Sequence, residues 1–195
     1  DVSGTDSTAA GNTAYGFKTM DAITTGDDNT AMGEQALGAI TTGGENVGIG
    51  KNALQKEDTG TRSVAIGVAA LKEQNYDSDC NNIAIGYQAG EQITTGRWNH
   101  FIGNYAGDDF DTEHSNMGIG YRALGGPVAG GEYNIAIGNS SLDAVTSGDD
   151  NVALGYYAGS DLTGGGQVSG QNTMMGNYAG GDLTTGYQNV CVGHR

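Results

Sequence analysis

Apolar residues recur along this chain in a short fixed phrase. Segments of the form Asn-x-x-x-Gly, such as NTAYG, NTAMG, NVGIG and NIAIG, together with the variant SVAIG, begin at residues 12, 29, 46, 63, 82, 99, 116, 134, 151, 172 and 189. The steps between them are 17, 17, 17, 19, 17, 17, 18, 17, 21 and 17. One unit is thus repeated at a near-constant period, and the longer steps place their extra residues late in the unit, as surface loops do. A fixed period of this length is the signature of stacked repeats.

Taking Asn29 as position 1, each column of the repeat carries its own chemistry. Position 4 is apolar in every copy and position 2 is mostly β-branched, which predicts a short strand with both columns facing the interior. Position 8 is small (Ala36, Ala53, Ala70) and position 12 is usually aliphatic (Ile23, Ile40, Ile93), which predicts a second short strand as the opposite wall. Position 5 is Gly throughout and position 15 is Gly in most copies, so both read as corners. Runs such as EQALGAI are cut by Gly below the length at which a helix holds by itself. The pattern therefore predicts an all-β fold. It is a β-solenoid, of the β-roll or β-helix kind, with about eleven 17-residue coils and one continuous domain over residues 1–195.

Stacking places equal positions above one another. Asn12, Asn29, Asn46, Asn82, Asn99, Asn116, Asn134, Asn151, Asn172 and Asn189, with Ser63 in the fourth copy, are predicted to form an axial ladder of side-chain amides. Position 3 is small and apolar, as at Ala31, Gly48, Ala65, Ala84, Gly118, Ala136 and Ala153. The strand thus reads as apolar on both faces, and a sheet of that kind is covered on both. Two covers for the position 3 column fit equally: the opposite wall of the same coil, or two further copies of the chain about a three-fold axis.

The phrase SVAIG at Ser63 to Gly67, with its relatives, resembles the head repeat of trimeric autotransporter adhesins. The longer phrase NIAIGYQAGEQITTGRW is similar to repeats of phage and other viral tail fibres. The resemblance runs from Asn12 to Gly193. It implies a left-handed β-roll, assembly as a homotrimer, and a place outside the cell, on a cell surface or on a virion. It also implies a fibre or spike segment whose work is reach and rigidity. The second functional expectation is a surface adhesin head that binds a glycan or a protein receptor through clustered Tyr, Trp98 and polar groups.

Composition narrows the partners. The chain has 195 residues, 23 acidic against 8 basic, and a formal charge of −15. Such a surface repels nucleic-acid phosphates and anionic headgroups. No apolar run approaches the roughly 20 residues that a membrane-spanning helix needs. The chain opens on DVSGTDSTAAG without Met or a signal core, which reads as a mature or excised fragment without an anchor. It ends seven residues into a repeat and begins with eleven before the first Asn. A head-to-tail contact between copies would therefore complete a coil of ordinary length and propagate a filament. Cys80 and Cys191 lack metal or disulfide spacing and read as free thiols.

Candidate chemistry is sparse. His100, His114 and His194 fall at unlike positions, and no base and nucleophile pair can be assembled, so an enzyme is not expected and no resident cofactor is required. The acidic turns at Asp27 and Asp28, Asp108 and Asp109, and Asp149 and Asp150 offer hard oxygen ligands that would suit Ca²⁺ if neighbouring coils brought them together. Asn139 opens the only sequon, NSS. Where position 9 is Gly, a Tyr stands at position 6 or 7 (Tyr87, Tyr105, Tyr156, Tyr157, Tyr178). These rings are expected either to fill the space that Leu leaves or to form an outward aromatic stripe. The insertion loops at Tyr76 to Asn81 and Gly164 to Gln171 are expected to present variable surface.

Overall fold

The computed structural model describes residues 8–126, 131–145, 147–163 and 170–195. Each repeat supplies one three-residue strand: β1 Thr13–Tyr15, β2 Thr30–Met32, β3 Val47–Ile49, β4 Val64–Ile66, β5 Ile83–Ile85, β6 His100–Ile102, β7 Met117–Ile119, β8 Ile135–Ile137, β9 Val152–Leu154, β10 Thr173–Met175 and β11 Val190–Val192. All eleven form one parallel sheet in sequence order. Every pairing is in register, so that Ile49 lies beside Ile66, Ile66 beside Ile85 and Ile85 beside Ile102. The chain is a β-solenoid of about 17 residues per turn. At the usual strand spacing the ten steps from β1 to β11 span about 48 Å.

The second strand expected at positions 8 to 12 is absent from the described coils. Those residues form turns instead. Their backbone explains why: positions 7, 9 and 17 adopt left-handed conformations coil after coil, as in Gln35 (φ 57°), Leu37 (φ 49°) and Glu45 (φ 59°). A left-handed L-residue costs about 1–2 kcal/mol. Position 9 offsets that cost by burial, since Leu37, Leu54, Leu71, Leu124 and Leu142 are fully buried, and burying such a side chain contributes about 1.5–3 kcal/mol. Backbone N–H groups of these turns are satisfied by the next coil, for example Leu37 N–H to Ala53 O at 2.9 Å. The side wall is thus a stack of turns hydrogen-bonded along the axis.

The interior also differs from the sequence reading. Position 3, between the two columns expected to face inward, is the buried one: Ala31, Ala65, Ala84, Phe101, Ala136, Ala153 and Met174 have essentially no exposure. Positions 2 and 4 face outward. The reading that further copies cover the position 3 column is corrected accordingly: the opposite wall of the same solenoid covers it. The coil is so thin that a Cβ added at Gly48 would stand 3.2 Å from Leu37 Cγ. Small side chains at positions 3 and 8 thus leave room for the large ones at 9 and 12, and the core is one continuous cluster.

The corner at position 5 requires glycine twice over. Gly50 has φ 129°, and a Cβ built on it would lie 2.4 Å from the carbonyl oxygen of Gly67 in the next coil. The same close approach recurs at Gly86, Gly103 and Gly138. Any side chain there would force adjacent coils apart.

Candidate functional site

The outward face of the sheet is an ordered surface that runs through all eleven strands. Its position 4 row runs Tyr15, Met32, Ile49, Ile66, Ile85, Ile102, Ile119, Ile137, Leu154, Met175 and Val192. Beside it runs the position 2 row, with Val47, Val64, Ile83, Met117, Ile135 and Val152, interrupted by His100 and by Thr at Thr13, Thr30 and Thr173. Met32 is 47% exposed, Ile102 39% and Ile85 36%. Strict register makes this stripe continuous, flat and periodic. Single exposed apolar side chains are ordinary on a protein surface, whereas a contiguous stripe marks a contact surface.

The Asn column lines one corner of the coil. Asn29, Asn46, Asn82, Asn99, Asn116, Asn134, Asn151 and Asn172 are buried. All but Asn151, whose own turn lies partly outside the described residues, are seen to make a two-way bridge. Asn29 Oδ1 accepts from Asn46 N–H at 3.0 Å, while Asn29 Nδ2 donates to Gly43 O at 2.9 Å across the turn of its own coil. The axial bond recurs from Asn12 to Asn29 and from Asn172 to Asn189 at the two ends. Ser63 is too short for the bridge, and Gln74 supplies an amide there. Its Nε2 donates to Ser63 Oγ at 3.0 Å and its Oε1 accepts from Asn82 Nδ2 at 2.9 Å.

Gln74 and Glu57 both sit at position 12, where most other coils carry aliphatic residues, and both are fully buried. Glu57 Oε1 accepts from Gly60 N–H at 2.7 Å and Oε2 from Gln74 Nε2 at 2.7 Å. Burial pushes the Glu57 carboxyl above its ordinary value, against the opposing effect of these donors. Cys80 lies against Glu57 Oε2, and burial beside that carboxylate pushes its thiol up to about 12. Such a thiol is inert. Cys191 is partly buried at position 3 of the last coil. Glu57 and Gln74 thus flank the one rung without Asn, a signal present in the sequence and missed by the column rule.

The tyrosines do not fill the space left by Leu. A Cβ at Gly107 would meet the Phe101 ring, and one at Gly159 or Gly180 would meet Met174. The two bulky position 3 residues therefore occupy the room vacated at position 9. Tyr87, Tyr105 and Tyr121 run edge to face along the outside, with ring centroids 5.3 and 6.0 Å apart. Tyr156, Tyr157, Tyr178 and His194 form a second outer cluster. Position 6 alternates Tyr and Asn in these coils. Asn104, Asn139 and Asn177 each accept a hydrogen bond from the backbone N–H of the Tyr one coil earlier, at 3.0 to 3.2 Å. Asn139 is exposed, with its Oδ1 engaged by Tyr121 N–H.

The acidic turns are separated. Asp27, Asp28, Asp149 and Asp150 share columns 16 and 17 but belong to distant coils, whereas Asp108 and Asp109 occupy columns 10 and 11. Asp27 Oδ1 accepts from Ala10 N–H at 2.7 Å and Asp149 Oδ1 from Glu132 N–H at 2.9 Å. Among the described residues no three His, Cys, Asp or Glu side chains gather closely enough to hold a metal ion, so the Ca²⁺ reading of these turns finds no converging ligand set. Asp108 is half-buried, and burial together with neighbouring Asp109 raises its carboxyl to about 6. The three histidines stay apart: His100 on β6, His114 beside Trp98 and His194 beside Tyr178. Of the two insertion loops, residues 164–169 lie outside the described residues, while Tyr76 to Asn81 packs Tyr76 against Arg97.

No family model, no curated protein and no solved structure matches this chain. Among the described residues no helix is long and apolar enough to cross a membrane.

Proposed function

We propose that this chain is the rod of a fibre, working outside the cell or on a virion, in which copies of itself associate side by side as a homotrimer through the apolar sheet face. The observation that carries this reading is the continuous outward stripe of Ile, Val, Leu and Met. A surface with a repeat of about 4.8 Å is matched rung for rung by another copy with the same repeat, which lets side chains of one stripe sit in the gaps of the next. Stiffness comes from the parallel ladder, the buried Asn column and the continuous core, none of which leaves a hinge between described coils.

Native mass measurement of the full chain tests this reading. The unaltered protein should appear as a trimer at micromolar concentration. Ile85→Asp with Ile102→Asp, both on the outer face, should give monomers with an unchanged β-sheet circular dichroism spectrum. A monomeric unaltered chain, or a trimer that survives both substitutions, would refute the assignment of the interface.

A further inference from the structure

Arg97 stands apart from most other cations of this acidic chain. Lys51, Lys56, Arg62, Lys72, Arg122 and Arg195 each pair with a carboxylate. Arg97 pairs with none among the described residues, although acidic residues outnumber basic ones by 23 to 8. Its guanidinium lies between two rings instead, with Cζ 4.9 Å from the Tyr76 ring centroid and 4.7 Å from that of Trp98. Nη1 donates to the Tyr76 hydroxyl at 3.0 Å, and Nε is buried without an acceptor. The insertion loop places Tyr76, and the stacking of successive coils places His114 beside Arg97, since both occupy position 16. Arg97 N–H donates to His114 Nδ1 at 3.0 Å, which leaves the neutral ring's proton on Nε2, and the His114 ring meets Trp98 edge-on at 6.2 Å. Trp98 remains 48% exposed.

A guanidinium held against two rings can form hydrogen bonds only in its own plane, and its fork geometry matches a carboxylate. The cost of fixing its rotamer is met before any ligand arrives. Beside it, half of an indole is open to solvent, which suits the flat C–H face of a sugar ring. Long-range repulsion by the chain's net charge disfavours densely charged anions, so the fitting ligand carries isolated carboxylates on an otherwise neutral frame. We infer that Tyr76, Arg97, Trp98 and His114 form a binding site for a carboxylated saccharide, of the uronic or sialic acid class. The carboxylate meets the Arg97 guanidinium and the pyranose lies on Trp98. The site does not depend on how copies of the chain assemble.

Trp98 is the only tryptophan, so fluorescence excited at the red edge of the indole band, where the Tyr residues do not absorb, reports on this site alone. The full chain is titrated with a disaccharide carrying a single uronic acid and with sialyllactose, against lactose and a peptide carrying a single glutamate as neutral and non-saccharide counterparts. A saturable fluorescence change is expected with at least one acidic saccharide and not with the counterparts. Arg97→Gln should weaken it by about tenfold or more, equivalent to about 1.4 kcal/mol, with an unchanged circular dichroism spectrum. Arg97→Lys, which keeps the charge but not the fork, should also weaken it. No saturation with either acidic saccharide, an equal response to lactose or to the peptide, or an unaltered affinity in Arg97→Gln would each overturn the inference.

Discussion

Phe101 fills the space that a side chain at Gly107 would need: a Cβ placed there would lie 2.4 Å from the Phe101 ring. In most other coils the arrangement is reversed, with a small position 3 residue such as Ala31 and a buried Leu such as Leu37 at position 9. The two columns therefore share one fixed volume, and Gly90 in the preceding coil also borders the ring.

This exchange of volume is measurable. Phe101→Ala alone should cost about 3–5 kcal/mol by leaving a cavity, and Gly107→Leu alone should destabilise by overpacking. Combined with Gly90→Leu they rebuild the common pattern and should recover most of the loss. Urea midpoints of the single and combined variants give the coupling. Additive losses would show that the columns are independent.

The Asn column gives a second expectation. Asn99 Nδ2 donates to Glu113 O at 2.7 Å, and Asn99 Oδ1 accepts from Asn116 N–H at 3.0 Å, all at buried atoms. Asn99→Ala strands both backbone groups and should cost about 2–5 kcal/mol. Asn12→Ala, at the partly exposed end of the ladder, should cost about 1 kcal/mol or less, because water replaces the lost partner. Chemical denaturation separates the two, and equal losses would count against an axial role for the column.

Much of this fold was legible in the letters, and the particular failures have physical causes. The period, the Gly corners and the stacking follow from spacing alone. Which way the strand faces did not, because Val64, Ala65 and Ile66 are all apolar and hydrophobicity cannot set the parity of a strand covered on one face and apolar on the other. Size was the better guide. Ala65 faces inward because the opposite turn lies too close for a larger side chain, and where Phe101 or Met174 intrudes, Gly appears at position 9. The left-handed columns were hidden by their occupants, since Lys18, Leu37 and Trp98 do not announce a positive φ as Gly does. The Arg97 site was invisible as a motif because Tyr76 reaches it from another coil through an insertion.

Asp108 gives a pH dependence with a defined sign. Its carboxyl is raised to about 6 in the folded state, first by burial and then by Asp109, with Arg122 opposing and Asp143 adding to the shift. A raised carboxyl means that its contribution to stability is full below the unfolded value and is lost as pH rises through about 6. Asp108→Asn keeps the shape without the charge. The stability of this variant relative to the unaltered chain should rise between about pH 4 and pH 7 and level off above that. A difference that stays flat across this window would place Asp108 in a solvated setting.

The orientation of the strand and the use of its outer face meet in one labelling measurement. In a Cys191→Ala background, where Cys80 is kept unreactive by burial, single cysteines are placed at Ala136 and at Ile137, and their thiol alkylation rates are followed against protein concentration. The residue 137 thiol should react readily in dilute solution and become protected as concentration rises, while the residue 136 thiol stays protected throughout. Equal rates at the two positions would contradict the inward placement of position 3, and a residue 137 rate independent of concentration would contradict assembly through the outer stripe.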